Sequence, residues 1–283
     1  MKVVMVMLNN FQEYILDNIK NLIKFNNTDV VVITDLKYNN IFKSILNDDN
    51  VISVQDLMPG YDEETNNMYN SFRNGFWKLT TYRFYVLHEY MKKFDITNIT
   101  HIENDVLLYK NLDDIVFHEN GKILLTMDSK NRCIPGIMFI PNFKLLESCL
   151  NHFRKNITDM ENWSNCFNEL PNLIDNLPIF IDDKSNDEKK MITRNFTKYN
   201  AIFDAAAIGQ YLGGTDPINT SENTIGFINE TCAINYSKYT FVWRKNEHNC
   251  HSPYIVINET EYPIINLHIH CKNLKKFISI TSI

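Results

Sequence analysis

The chain has 283 residues, of which 44% are hydrophobic and 22% charged, proportions typical of a globular protein with a substantial core. A formal net charge of −6 at pH 7 disfavours nucleic acid as a partner, because nucleic-acid binding requires a clustered basic surface. No apolar run reaches the roughly 18 residues of a membrane span. The short apolar N-terminus ends at Asn9 without a signal-peptide cleavage site, so we expect a cytoplasmic protein.

The first third of the chain predicts a parallel α/β arrangement. Strands are expected over residues 2–8, 30–33 and 51–54, with a helix over residues 11–25 after the first strand. Sheets of this kind bind ligands at the carboxyl ends of their strands. Two polar residues that follow the first two strands, Asn9 and Asp35, are therefore predicted to contact a nucleotide.

An acidic pair, Glu103 and Asp105, comes next and is the most informative feature of the sequence. A long helix over residues 70–94 precedes a predicted strand over residues 98–109 that carries the pair. Alternate side chains of a strand point to one face, so the two carboxylates are expected to converge. Such a pair is often only a solvated surface feature, but at the end of a buried strand it suits a divalent cation shared with a phosphorylated ligand.

The middle of the chain predicts further strands over residues 122–127 and 136–140, separated by a turn at Pro135 and Gly136. Within the polar stretch 160–191, residues 181–190 are expected to form a solvated loop.

A short helix is expected after Asp204, ending near Gly213 and Gly214. Asp204 has two candidate roles, general base and N-cap of this helix, which can hold together. Gln210, within the helix, is a candidate contact of sugar hydroxyls.

The C-terminal strand, predicted over residues 263–270, carries two histidines. His268 and His270 alternate with apolar residues and therefore share one face of the strand. An imidazole ligand beside the carboxylate pair favours Mn²⁺, with Mg²⁺ as the alternative. Lys272 follows and is placed to neutralise a leaving diphosphate, unless it belongs to an ordinary basic tail.

A zinc site is the rival metal hypothesis. The required residue types are present near the C-terminus, at His248, Cys250, His251, His268, His270 and Cys271. Their spacing matches no standard zinc finger, and the six cysteines include no C-x-x-C pair.

The order of these segments resembles the GT-A fold glycosyltransferases of the glycogenin and bacterial lipooligosaccharide galactosyltransferase type. The resemblance is carried, in chain order, by Thr81-Tyr-Arg83 for the helix arginine, Glu103-Asn-Asp105 for the Asp-x-Asp motif, Pro135–Asn142 for the following strand, Asp204–Gly214 for the acceptor segment and His268-Ile-His-Cys-Lys272 for the C-terminal histidine and lysine. It covers nearly the whole chain. One departure is Glu103, where the family carries aspartate.

The resemblance implies a single GT-A domain over residues 1–283, built on a Rossmann-like mixed sheet with helices on both faces. Residues 1–110 would bind the nucleotide and residues 111–283 the acceptor. The implied activity is transfer of a sugar from a nucleoside-diphosphate sugar, with UDP as the expected nucleotide, to a hydroxyl acceptor such as a glycan. The sequence specifies no oligomeric state.

The resemblance also assigns site residues. Catalytic roles fall to Asp105 and Asp204. The metal ion would be held by Glu103, Asp105, His268 and His270. The donor would be contacted by Asn9, Asp35, Arg83, Asp128, Gln210 and Lys272. Two other hypotheses remain open at this point: a catalytically silent homologue that binds a nucleotide sugar or glycan, and a nucleotidyltransferase.

Overall fold

The computed structural model describes residues 1–61, 72–117, 121–220, 222–245 and 250–278. In chain order its strands are β1 Lys2–Met7, β2 Val30–Thr34, β3 Val51–Ser53, β4 Ile99–Ile102, β5 Val106–Leu108, β6 Ile123–Ser129, β7 Arg132–Ile140, β8 Ile174–Asn176, β9 Thr240–Lys245, β10 His251–Ile257, β11 Thr260–Pro263 and β12 Asn266–His268. Its α-helices are α1 Tyr14–Lys24, α2 Asn39–Lys43, α3 Val54–Leu57, α4 Phe72–Lys93, α5 Phe143–Leu150, α6 Asp159–Glu169, α7 Asp187–Thr193, α8 Phe196–Tyr199, α9 Ala207–Gly213 and α10 Leu274–Ile278.

A seven-stranded mixed sheet forms the centre of the molecule, in the order β3-β2-β1-β4-β7-β6-β8. Strands β3, β2, β1 and β4 run parallel, and β7 lies antiparallel between β4 and β6. The parallel strands β1 and β2 are almost continuous runs of Val, Ile and Met, as expected for strands buried on both faces. The mixed α/β fold predicted from the sequence is confirmed.

Helices cover both faces of this sheet. One face of β1 packs with the apolar side of α1, in a cluster that contains Val3, Met5, Met7, Ile15, Ile19 and Leu22. The other face packs with α4, in a cluster that contains Val4, Val6, Phe84, Leu87 and Met91. The period of two in the strand and the helical spacing of α1 and α4 account for this division.

Two smaller sheets complete the fold. An antiparallel sheet in the order β11-β10-β9 lies in the C-terminal part, where the sequence indicated no hairpin. A two-stranded antiparallel sheet joins β5 to β12. Among the helices that the structure describes, none has both the length and the apolar character needed to span a membrane.

Three strand predictions were wrong in detail. The strand expected over residues 263–270 is shorter: β12 comprises Asn266–His268, and His270 lies in the turn that follows, not on the same strand. The strand expected over residues 98–109 is two strands, because the chain turns at residues 103–105 and β5 leaves the central sheet to pair with β12. Pro135 and Gly136, where a turn was expected, lie inside β7. The hairpin reverses between Ser129 and Arg132, and a register shift in β7 accommodates the proline.

Two helices lie in the polar part of the chain between residues 159 and 193. Helix α6 begins with a capping box between Thr158 and Glu161 and buries Trp163, so its polar residues belong to one face of a packed helix. The loop expected over residues 181–190 ends at Asn186, whose side chain caps α7. Residues 70 and 71 of the predicted long helix lie outside the described residues.

Candidate functional site

The acidic pair lies in the turn between β4 and β5, at the carboxyl end of a central strand. The N–H of Glu103 donates to the carbonyl of Gly136 at 2.9 Å, and the carbonyl of Asp105 accepts from Ile269 N–H at 2.8 Å. Between them, Asn104 ties the turn to β1 through a 3.2 Å bond to the Val6 carbonyl. The turn is therefore held from three sides, and both carboxylates project from a fixed backbone.

His268 reaches the pair because β12 runs antiparallel to β5, with His268 opposite Val106. Its Nε2 lies 3.0 Å from Glu103 Oε2 and 3.3 Å from Asp105 Oδ1. One ligand atom from each of these three side chains lies within 4.8 Å of the others. The partnership predicted between the acidic pair and the C-terminal strand is thus present for His268.

Two cations flank the carboxylates. The Arg83 guanidinium contacts Glu103 and lies 3.0 Å from Asp159 Oδ2, while the Lys272 ammonium contacts Asp105. Burial opposes ionisation of Glu103, but Arg83 and then His268 hold its pKa below the usual value. Burial likewise opposes ionisation of Asp105, but Lys272 and His268 hold its pKa well below normal. Both carboxyl groups are therefore ionised at neutral pH.

The neighbouring carboxylates keep His268 protonated. Burial alone would lower its pKa, but Asp105 and Glu103 raise the pKa to about 10. At neutral pH a protonated imidazole thus lies between two carboxylates. Three positive groups (Arg83, Lys272 and His268) balance three carboxylates, the third being Asp159.

The donor set fits a divalent cation. Two carboxylates and one imidazole offer the oxygen and nitrogen ligands that Mn²⁺ accepts, and Mg²⁺ prefers the oxygens. Because a metal ligand must be deprotonated, an ion bound here would displace the proton of His268. Glu103, Asp105 and His268 are the residues that would hold it.

His270 lies beside this cluster in a different setting. Its ring centroid is 4.5 Å from that of His268, and its Nδ1 is 3.3 Å from Nε2 of Gln210. Burial, and then the charge of His268, lower the pKa of His270 to about 3, so the ring is neutral. His270 is not part of the three-residue ligand grouping found among the described residues.

Asp204 connects α9 to the strand that carries His268. Its Oδ1 accepts the N–H of Ile208 at 2.9 Å, and its Oδ2 accepts the N–H groups of Gly209 and His268, both at 2.9 Å. Burial raises the pKa of Asp204 to about 6, although these three donors favour the charged form. The N-cap position of α9 is Ala206, so the prediction of Asp204 as the N-cap residue was wrong by two positions, although its carboxylate accepts N–H groups of the first helical turn. The role of general base stays a prediction.

Three predicted donor contacts lie on other elements. Asn9 and Asp35 follow β1 and β2, and the Asn9 N–H donates to Asp35 Oδ2 at 2.5 Å. These two residues lie at the carboxyl ends of the parallel strands, where β4 also ends. Asp128, near the end of β6, is fully buried, and both of its oxygens accept from Arg132, at 3.0 and 2.8 Å from Nε.

Sequence reasoning missed several residues around the site. Tyr14 lies under the Lys272 ammonium, 5.7 Å from ring centroid to Nζ. Gly136 leaves space for the His268 ring, since a Cβ there would lie 2.8 Å from Nδ1. Arg132 and Asn229 connect Asp128 to the site. The Asn229-x-Thr231 spacing of an Asx turn was the only local signal for this last group.

The zinc hypothesis receives no geometric support from the residues that the structure describes. His248 lies outside them. His251 begins β10 opposite Lys245, and the grouping of potential metal ligands in the described ranges consists of Glu103, Asp105 and His268.

The chain matches no protein-family model and no curated protein. Solved structures to which it is similar include mouse xyloside xylosyltransferase 1, at 13% identity over 62% of this chain and 84% of that chain, with a TM-score of 0.40. The galactosyltransferase LgtC, in complex with donor and acceptor sugar analogs, matches at 11% identity over 82% and 85% of the two chains, with a TM-score of 0.37. A cytidylyltransferase from Leptospira borgpetersenii matches at 14% identity over 68% and 79%, also at 0.37. Similarity at these TM-scores assigns no function to the chain.

Proposed function

We propose that the protein is a metal-dependent glycosyltransferase that moves a sugar from a nucleoside-diphosphate sugar to a hydroxyl acceptor such as a glycan. The observation that carries the proposal is the convergence of Glu103, Asp105 and His268 at the carboxyl ends of the parallel strands. Arg83 and Lys272 stand on either side of this cluster. Ligands of open α/β sheets bind at this edge, and a diphosphate requires this density of positive charge.

The charge balance of the cluster supports an anionic ligand. The three cations and three carboxylates are neutral together, and a divalent ion that displaces the proton of His268 leaves one net positive charge. This excess attracts a diphosphate, which carries at least two negative charges, so we expect metal ion and nucleotide to bind cooperatively. A bound Mn²⁺ or Mg²⁺ ion supplies Lewis-acid stabilisation of the leaving diphosphate.

The protein's own residues divide the remaining tasks. Lys272 and Arg83 orient the diphosphate by charge, and Asn9 and Asp35 hold the nucleoside, with UDP as the expected nucleotide. Gln210 faces the donor sugar from α9. Asp128 acts on the donor sugar through Arg132, because its carboxylate already accepts hydrogen bonds from the Arg132 guanidinium.

The roles proposed for the two halves of the chain follow from this arrangement. Residues 1–110 carry the nucleotide-binding edge of the sheet, and residues 111–283 build the acceptor side. If the reaction inverts the anomeric centre, Asp204 would accept the proton of the acceptor hydroxyl, for which a pKa of about 6 is suitable.

The test is turnover of a panel of UDP-, GDP- and CMP-sugars in Mn²⁺, followed as release of the free nucleotide. We expect release from at least one UDP-sugar, loss of release on adding a chelator, and loss in Asp105→Asn. Asp175→Asn is the matched control, since Asp175 pairs with Arg194 on the edge strand β8. Absence of both turnover and metal-dependent thermal stabilisation across the panel would overturn the proposal.

A catalytically silent binding protein is the second candidate. One observation favours it: each cluster carboxylate already contacts a side-chain cation, Arg83 or Lys272, so the cluster is electrostatically complete on its own. This candidate predicts UDP binding without turnover. The nucleotidyltransferase hypothesis predicts pyrophosphate release from a nucleoside triphosphate and a sugar phosphate, and no release of free nucleotide from a nucleotide sugar, so the nucleotide-sugar assay distinguishes it.

A further inference from the structure

A relay of side-chain hydrogen bonds runs from the β6–β7 hairpin to His270. Arg132, held by Asp128, donates from Nη2 to Asn229 Oδ1 at 3.1 Å. Asn229 Nδ2 lies 2.9 Å from Gln210 Oε1, and Gln210 Nε2 lies 3.3 Å from His270 Nδ1. The relay joins the hairpin, the segment after α9, α9 itself and the turn after β12.

The direction of every bond in this relay is fixed by its first member. A guanidinium can only donate, so the Asn229 atom that it contacts must be the carbonyl oxygen. The backbone N–H of Thr231 donates to the same atom at 3.2 Å, which requires the same orientation. The amide nitrogen of Asn229 therefore faces Gln210, and the Gln210 atom that receives it must be an oxygen.

The consequence reaches His270. With its oxygen turned to Asn229, Gln210 presents its amide N–H to His270 Nδ1, which must accept. A neutral imidazole that accepts at Nδ1 carries its proton at Nε2. That Nε2 is buried and has no hydrogen-bond partner among the described residues. An unpaired buried donor is costly, so it indicates an acceptor supplied by a ligand.

We propose that this relay holds His270 as the Nε2–H tautomer, and that His270 donates from Nε2 to an oxygen of the anionic ligand bound beside Glu103, Asp105 and His268. Neither nitrogen of His270 then offers a lone pair to a metal ion. Asn229 and Arg132 act as positioning residues, and Gln210 positions His270 in addition to the donor-sugar contact proposed for it. The identity of the ligand, the diphosphate of a nucleotide sugar, rests on the proposed function, whereas the tautomer does not.

The tautomer can be measured directly in the metal-free protein by ¹⁵N NMR of labelled histidine side chains, with His270→Gln to assign the signals. The proposal predicts a protonated Nε2 and an unprotonated, hydrogen-bonded Nδ1 for His270. Addition of UDP with Mg²⁺ should shift the Nε2–H signal and slow its exchange with solvent.

Asn229→Asp tests the relay from a distance. The new carboxylate keeps the bonds from Arg132 and Thr231 but cannot donate to Gln210. The Gln210 amide should therefore turn its nitrogen toward Asp and its oxygen toward His270, which moves the proton to Nδ1. Without the Nε2 donor, the affinity for UDP in Mg²⁺ should fall by about tenfold to a hundredfold.

Asn235→Asp is the matched control, because Asn235 caps Ser237 in the same way on an exposed turn outside the relay. It should leave the His270 tautomer and the UDP affinity unchanged. A protonated Nδ1 in the wild type, or an unchanged tautomer in Asn229→Asp, would overturn the proposal. UDP binding that leaves the His270 signals unmoved would overturn it while the proposed function stands. Failure of UDP, GDP and CMP to bind the wild type would overturn the proposed function and the ligand assignment, whatever the tautomer.

Discussion

The carboxylate of Asp204 accepts the main-chain N–H of His268 at 2.9 Å, and so ties the N-terminal end of α9 to the strand that carries His268. The same Oδ2 accepts from Gly209, whose lack of a Cβ allows the close approach: a Cβ there would lie 2.0 Å from the His268 carbonyl oxygen. The position of His268 is therefore set by α9 as much as by the pairing of β12 with β5.

Asp204→Asn should destabilise the protein by about 2 kcal/mol, because an amide NH₂ would face backbone donors that a carboxylate satisfies. The effect should depend on pH. The folded-state pKa of about 6 lies above the usual value of an aspartate, so ionisation of Asp204 weakens the fold as pH rises toward and through 6. Asparagine does not ionise, so the variant lacks this pH-dependent contribution to the free energy of unfolding. Its deficit in the free energy of unfolding should therefore be larger at acidic than at neutral pH, by about 1 kcal/mol between pH 5 and 7.5.

Urea denaturation of both proteins at the two pH values checks this prediction. A deficit that grows toward neutral pH would contradict it, because that would place the pKa of Asp204 below its usual value.

Gly136→Ala should weaken metal binding more than folding. The added Cβ would lie 2.8 Å from Nδ1 and 3.2 Å from Cε1 of His268, so the ring must move away from Glu103 and Asp105. Disturbing the contacts that orient a metal-ligating side chain typically weakens metal affinity by about tenfold to a hundredfold. Isothermal titration with Mn²⁺ measures the change. Gly226→Ala is the control: the added Cβ meets no atom within 4 Å, and although the φ of 85° strains an alanine there, the affinity for Mn²⁺ should stay at the wild-type value.

Arg83→Met should cost about 3–5 kcal/mol of stability, because it removes the cation paired with the buried carboxylate of Asp159 and one of the two cations beside the half-buried Glu103. Arg83→Lys should recover part of this loss, since a single ammonium keeps the charge but cannot bridge both partners as the guanidinium does. Chemical denaturation measures both. Arg244→Met is the control: it removes an arginine from an exposed pair with Glu261 and should change stability far less. Equal losses in Arg83→Met and Arg244→Met would contradict the account.

Lys272→Met should change the affinities for metal and nucleotide in opposite directions. Loss of the ammonium frees Asp105 for a metal ion, so Mn²⁺ alone should bind more tightly. UDP in the presence of Mn²⁺ should bind about tenfold more weakly, because the cation proposed to contact the diphosphate is lost. Titration calorimetry with each ligand separates the effects. Lys275→Met, with its ammonium 3.9 Å from Asp17 on an exposed side chain, should alter neither. Weaker binding of both ligands to Lys272→Met would indicate a structural role instead.

The parts of the fold that sequence predicted are those with a local pattern. β1 and β2 are continuous apolar runs, and α1 has its apolar residues at helical spacing, so each could be recognised without its partners. Helix α6 was not predicted, because its composition is largely polar. Burial of Trp163 and Cys166 depends on tertiary contacts that composition does not show.

The candidate site was predictable only in its local pieces. Alternation along a strand predicted that the two carboxylates share one strand face and that the two histidines share another. The residue types then suggested a joint metal site. The pairing of β5 with β12, which brings His268 to Asp105, joins segments far apart in the chain and has no local signal. Contacts of Asp159 with Arg83, and of Arg132 with Asn229, are likewise long-range and emerged only from the structure.

The most direct test of the central claim is a Mn²⁺ titration in the presence of UDP, with the free ion followed by its electron paramagnetic resonance signal. Wild-type protein and His251→Gln, a histidine at the start of β10 outside the cluster, should each bind a single Mn²⁺ ion tightly. His268→Gln should lose that binding by about a hundredfold, because the ion loses its imidazole ligand. Equal Mn²⁺ affinity in His268→Gln and the wild type would contradict the assignment of Glu103, Asp105 and His268 as a metal site.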